Sequence, residues 1–196
     1  MSATTIAQPH TTITAKRSFR RRYSVARGTA YQVCGVFSGS ALLALATQLH
    51  STAVSTALMI AGFVTVYLNC HALAHYLAGR AVGLRFRGYG VRGTDHPEVY
   101  PPGIRQLMQA APFYVALSTK ASREQASGRA KAIYYAAGET STAICSIAYA
   151  AIAATAHIPG GQGLLVAMII FNLISTIVTT HNPTGDSGKA LNALRS

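Results

Sequence analysis

The stretch LNCHALAHYLAGRAVGL, residues 68–84, places His71 and His75 four apart near the end of a long apolar run. On a helix, residues at i and i+4 share one face, so the two imidazoles project side by side. Such a pair is the usual start of a zinc site. The alternative is two histidines hydrogen-bonded to neighbouring helices. The surroundings of this stretch decide between the two readings.

The chain has 196 residues, of which 50% are apolar and only 11% charged. That charge content is less than half of what a soluble domain carries. The apolar residues stand in long blocks with the charges between them, which is the pattern of an integral membrane protein. Four spans are expected, at about Tyr31–Leu49, Val54–Ala78, Ala132–Ala156 and Leu164–Thr180. Each is about the length a bilayer core requires, and Gly and Ala are frequent in them, as close helix packing in lipid favours. The expected fold class is an all-α polytopic membrane protein with four transmembrane helices. Residues 1–30 are expected to be a disordered basic tail, and 31–50 the first transmembrane helix. Residues 51–196 are expected to form the membrane core, with a loop at 79–131. Within that loop, LRFRGYGVRGTDHPEVYPPG (84–103) alternates enough for a short strand or β-hairpin. TDHPE, with Asp95, His96 and Glu98, reads as a solvated acidic turn rather than a metal cluster. GIRQLMQAAPFYVALSTKA (103–121) is short, charged near both ends and broken by Pro112, so an interfacial or re-entrant segment is expected there.

Lys and Arg outnumber Asp and Glu by 17 to 5, for a formal charge of +12. No aromatic-interleaved basic patch is present, so the charge argues for basic loops on one side of a membrane and not for nucleic acid. Six basic residues precede the first span, nine lie between the second and third, and two follow the fourth. The remaining connections, HSTA and HIPGGQG, have none. The positive-inside rule then puts both termini in the cytoplasm, with a bacterial plasma membrane as the expected location.

That topology brings a third ligand within reach. In TTHNPTGDSGKAL (179–191), Asn182-Pro183 ends the fourth span and Asp186 follows in a Gly-rich turn, on the same side of the membrane as the histidines. His71, His75 and Asp186 are therefore the candidate metal ligands, with zinc as the expected ion and a fourth position open. Cys34, Cys70 and Cys145 read as reduced, buried small residues. Cys70 adjoins His71, but adjacent helical positions point about 100° apart.

The ordered set of motifs resembles the site-2 protease family of intramembrane zinc metalloproteases. HALAHYLAGRAVGLRF (71–86) resembles the family's H-E-x-x-H helix and the turn into a short strand. YYAAGETSTAICSIA (134–148) resembles the start of its next core helix, and HNPTGDSGKAL (181–191) its Asn-Pro…Asp-Gly segment. The resemblance covers roughly residues 55–195. It implies a three-helix core with zinc on His71, His75 and Asp186, cleavage of a transmembrane substrate, and a strand that pairs with the unwound substrate. It also implies substrate contacts at Asn182, Arg85 and Tyr89.

The departures carry equal weight. Ala72 stands where the family has its general base, Ser187 replaces the first Gly after the aspartate, and Glu139-Thr140 replaces a Pro and a small residue. The missing glutamate would deprotonate zinc-bound water and protonate the leaving amine, and alanine can do neither. Glu139, at roughly the depth of His71, is a candidate substitute base. Its alternative role is a structural hydrogen bond to Asn69, Asn172 or a threonine. Two functions are therefore expected. One is an intramembrane zinc protease, inactive as written, in which Ala72→Glu restores cleavage. The other is a non-catalytic relative that binds zinc or membrane partners without cutting.

Overall fold

A computed structural model describes residues 18–94 and 102–195. The first fifteen residues and the acidic residues of TDHPE lie outside the described residues. The element order is β1 (Arg21–Tyr23), α1 (Val25–Ala46), α2 (Thr52–Ala81), β2 (Phe86–Arg92), α3 (Ile104–Ala110), β3 (Phe113–Ser118), α4 (Lys120–Gln125), α5 (Gly128–Thr155), α6 (Gly161–His181) and α7 (Asp186–Arg195).

Among the described residues, three helices are long and apolar enough to cross a membrane: α1, α2 and α6. The four-span expectation is thus met in three places. The fourth, α5, is 28 residues long but too polar to join them. Its polar groups have partners inside the bundle. Ser146 Oγ accepts from Asn172 Nδ2 of α6 at 2.9 Å, and Tyr149 Oη donates to the Met59 carbonyl of α2 at 3.0 Å. Its buried stripe runs through Tyr134, Gly138, Thr142, Ser146, Tyr149 and Ala153, mostly small residues that let α2 approach. α6 is the opposite case. It buries only Gly161 and Asn172, and leaves Ile169, Ile170, Phe171, Leu173, Ile174, Ile177 and Val178 exposed. A continuous apolar surface of that kind is untenable in water and suits lipid.

The start of α2 and the turn after α5 meet at one end of the bundle, where Thr56 Oγ1 donates to the Pro159 carbonyl at 3.1 Å. At the other end, α2 stops at Val82. Gly83 takes φ +87°, Gly83 N donates to Arg80 O, and Leu84 N reaches back to Gly79 O at 2.8 Å. The turn launches β2, the strand anticipated after the histidine helix.

Of the short strand or hairpin expected in 84–103, the described residues form one strand, β2. β2 is the centre of a three-stranded antiparallel sheet in the order β1-β2-β3. Tyr89 is opposite Tyr23 on one side and Ala116 on the other. Two expectations change as a result. Residues 21–23 and the start of α1 at Val25 lie inside the stretch expected to be a disordered tail to residue 30. They are ordered because β2 offers them a partner and because Ser24 caps α1, accepting from Arg27 N at 3.3 Å. The segment 103–121, expected as one interfacial or re-entrant piece, is part helix and part strand. Pro112 and an extended Ala111 (ψ 136°) end α3, and FYVALS then pairs with β2. β2 has both edges occupied, so the outer edges of the sheet are those of β1 and β3.

Candidate metal centre

α2, α5 and α7 meet around His71 and His75. α2 presents both imidazoles on one face. α5 backs them, and the break after α6 returns Asp186. Pro183 cannot continue α6. Asn182, held in extended conformation before it, accepts from Thr184 N at 3.0 Å and from Thr184 Oγ1 at 2.8 Å. α7 starts at Asp186, which places that carboxylate in its first turn.

The three expected ligands converge. His75 Nε2 lies 3.2 Å from His71 Nε2 and 3.1 Å from Asp186 Oδ2, and His71 Nε2 lies 3.4 Å from the same oxygen. Tetrahedral zinc with ligand bonds of about 2.0–2.1 Å separates its ligand atoms by about 3.3 Å. The three distances are those of one face of that tetrahedron.

The hydrogen-bond network fixes the tautomers. His75 Nδ1 lies 2.7 Å from the Tyr134 carbonyl, so it carries the proton. Thr142 Oγ1 donates to the Gly138 carbonyl at 2.9 Å and therefore accepts from His71 Nδ1 at 3.0 Å. Each neutral imidazole then turns a bare Nε2 lone pair inward, towards the other and towards a carboxylate oxygen. Three acceptors at this spacing repel unless a cation stands among them, either a proton on one imidazole or a metal ion. Orienting hydrogen bonds on Nδ1 are the usual support of metal-bound histidines. With the proton on an imidazole, hydrogen bonding from His71 and His75 outweighs the upward push of burial and holds the Asp186 carboxyl well below the usual carboxylate range. Lys189 Nζ lies 3.5 Å from the other carboxylate oxygen.

Gly138 is a site residue that sequence reasoning missed. A Cβ there would overlap His75 Nε2 and come within 2.7 Å of His71 Nε2. Only glycine lets α5 lie this close to the pair. Its signal was present, since Gly138 and Thr142 stand four apart on one face of α5, as the histidines do on α2.

Ala72 is 1% exposed and packs with Tyr89 of β2 and Ala116 of β3. Its methyl group therefore faces the underside of the sheet. Tyr89 is 0% exposed, its hydroxyl 3.1 Å from Thr29 Oγ1, and so it has no surface to offer a substrate. Arg85 is exposed beyond the Gly83 turn, its backbone tied to Thr119 and Ser122. Asn182 shapes its own turn. Among the described residues, none of these three joins the hydrogen-bonded group around the histidines. Cys70 donates to the Tyr67 carbonyl at 3.7 Å and is not among the three candidate ligands that lie together. Glu139 Oε2 accepts from Ser187 and lies 3.0 Å from Thr179 Oγ1, so a threonine is among its partners. Asn69 and Asn172 are bonded elsewhere, to Thr65 and to Ser146 and Met168.

No family model matches the chain, and no curated protein or solved structure matches it either.

Proposed function

We propose that this chain is a membrane-embedded zinc protein with a site-2-protease-like core, which engages a transmembrane segment of a partner without cutting it. The observation that carries the reading is the set of three ligand distances, 3.1, 3.2 and 3.4 Å, between groups whose tautomers leave lone pairs facing one another. His71, His75 and Asp186 hold the ion, and α5 crosses the membrane as a fourth span whose polar stripe is shielded by α2 and α6. Zinc in such a site supplies Lewis acidity and acidifies a bound water. Hydrolysis needs a base beside that water as well. Ala72 is none, and Glu139 is engaged by Ser187 and Thr179. The partner is a membrane protein, the surroundings are the lipid bilayer, and nucleic acid has no part.

A second reading is an intramembrane protease that lacks only its base. The side chain of His71 is 37% exposed, which leaves the pair open on one side. Ala72→Glu separates the two readings. Glutamate at this position overpacks the contact with Ala116 and Tyr89 and buries a carboxylate beneath the sheet. The expected outcome is a loss of about 1–3 kcal/mol in stability and no cleavage. The measurement is elemental analysis of the purified wild type, expected to show one zinc per chain, followed by incubation of wild type and Ala72→Glu with a panel of single-span substrates in liposomes. Cleavage by the variant alone would establish the protease reading. A general base is worth typically ~10²–10⁴-fold, so the gain would be plain.

The orientation follows from the basic loops, with both termini and the sheet on the cytoplasmic side. Single cysteines at Ser51 and Gln162, both exposed, should label from outside intact cells in a cysteine-free background, and one at Ser127 should not. The reverse pattern would invert the protein.

A further inference from the structure

Glu139 follows Gly138, the point at which α5 touches the histidine pair. Its Oε2 accepts from Ser187 Oγ on α7 and lies 3.0 Å from Thr179 Oγ1 on α6. One carboxylate oxygen thus joins three helices. Ser187 is the residue directly after Asp186. Two departures from the site-2 protease pattern, Glu139 and Ser187, are therefore bonded to each other. They form one paired feature of this chain.

We infer that Glu139 is a positioning residue for the metal centre, which holds Ser187 so that the first turn of α7 presents Asp186 to both imidazoles. The inference rests on the metal reading above. α7 has ten residues, too few to be stable as a helix alone, and it follows a break that contains Pro183 and Gly185. Its placement must come from contacts. Lys189 is a weak one, since its side chain is 43% exposed and 3.5 Å from Asp186. Small apolar contacts between Ala132 and the pair Ala190 and Ala193 fix the far part of α7. At its first turn, the bond from Ser187 Oγ to the Glu139 side chain is the directional one. Ser187 is adjacent to the ligand, so pinning its hydroxyl pins the Asp186 backbone as well.

The test is zinc affinity, measured by chelator competition on full-length protein in detergent. The proteins are wild type, Glu139→Ala, Glu139→Gln, Ser187→Ala, Ser187→Thr and the double alanine variant. Supporting groups around metal ligands are typically worth ~10–100-fold in affinity, and each single alanine variant should lose about that much. The double variant should lose no more than the worse single one. Ser187→Thr, which keeps the hydroxyl, and Glu139→Gln, which keeps an acceptor oxygen, should recover most of the affinity. In metal-free protein, amide exchange over residues 186–190 should speed up in Glu139→Ala. Affinity within twofold of wild type in both alanine variants, or losses that multiply in the double variant, would overturn the inference. A wild type that binds no zinc is a different result, and it would overturn the metal reading itself.

Discussion

At the proposed zinc site, alanine in place of Gly138 should weaken binding by more than ~100-fold in a chain that still carries all three candidate ligands. A Cβ at 138 would overlap His75 Nε2 and lie 2.7 Å from His71 Nε2, which is far inside contact distance. The obstacle is part of the α5 backbone trace, so no side-chain rotation removes it. The rings have to move, but His75 is held by the Tyr134 carbonyl at 2.7 Å and His71 by Thr142 at 3.0 Å. If they turn, these supporting bonds break. If α5 backs away, α7 and Asp186 go with it. Structural zinc sites bind with about 10–16 kcal/mol, so a site that loses the placement of two ligands should weaken by more than ~100-fold. The helix itself does not suffer, because alanine is about 1 kcal/mol better than glycine in a helix interior. Chelator competition together with helical content by circular dichroism checks this. Wild-type affinity with an unchanged fold would show that the ion, if any, is not held between Nε2 atoms backed by Gly138.

His75→Ala is the second large effect. Its side chain is the most enclosed of the three ligands, at 10% exposure, and it contacts both other ligand atoms. Its removal leaves one imidazole and one carboxylate, half of the four ligands that structural zinc uses. Zinc content should fall from one per chain to background by elemental analysis. The fold is weakened as well. The Tyr134 carbonyl keeps its place in α5 but loses its second hydrogen bond, worth ~0.5–1.5 kcal/mol, and a cavity opens against the Tyr134 ring. The zinc loss is separable from this weakening. His75→Gln returns a donor to the carbonyl without restoring an imidazole, so it should recover stability but not zinc. Equal zinc in wild type and His75→Ala would remove the site.

Much of the metal centre is legible from spacing. His71 and His75 stand at i and i+4, and local helical geometry alone places them on one face. Asn182-Pro183 breaks α6 because proline lacks an N–H and restricts the residue before it, and this too is a local rule. The long apolar runs read correctly as α1, α2 and α6. The reading of α5 as a fourth span is met only as a long helix, because its small and hydroxyl-bearing residues make it less apolar than the other three.

What the sequence determined by itself, then, is whatever depends on neighbours along the chain: helix phase, helix ends and the presence of a strand after Gly83. Tertiary structure alone decided the rest. β2 pairs with Arg21–Tyr23, more than sixty residues earlier, and with Phe113–Ser118, so the strand expected at an edge is central and the tail expected to be disordered is partly ordered. Ala72 occupies the position of a catalytic base in a linear motif. Only the sheet lying over it shows that the position is packed with Ala116 and Tyr89. Glu139 reads from depth alone as a possible base, and only the return of α7 reveals its bond to Ser187. The reason is the same in each case. A side chain's role depends on which distant segment closes against it. Strand pairing and helix packing across long loops are decided by the summed fit of many contacts, which no local spacing records.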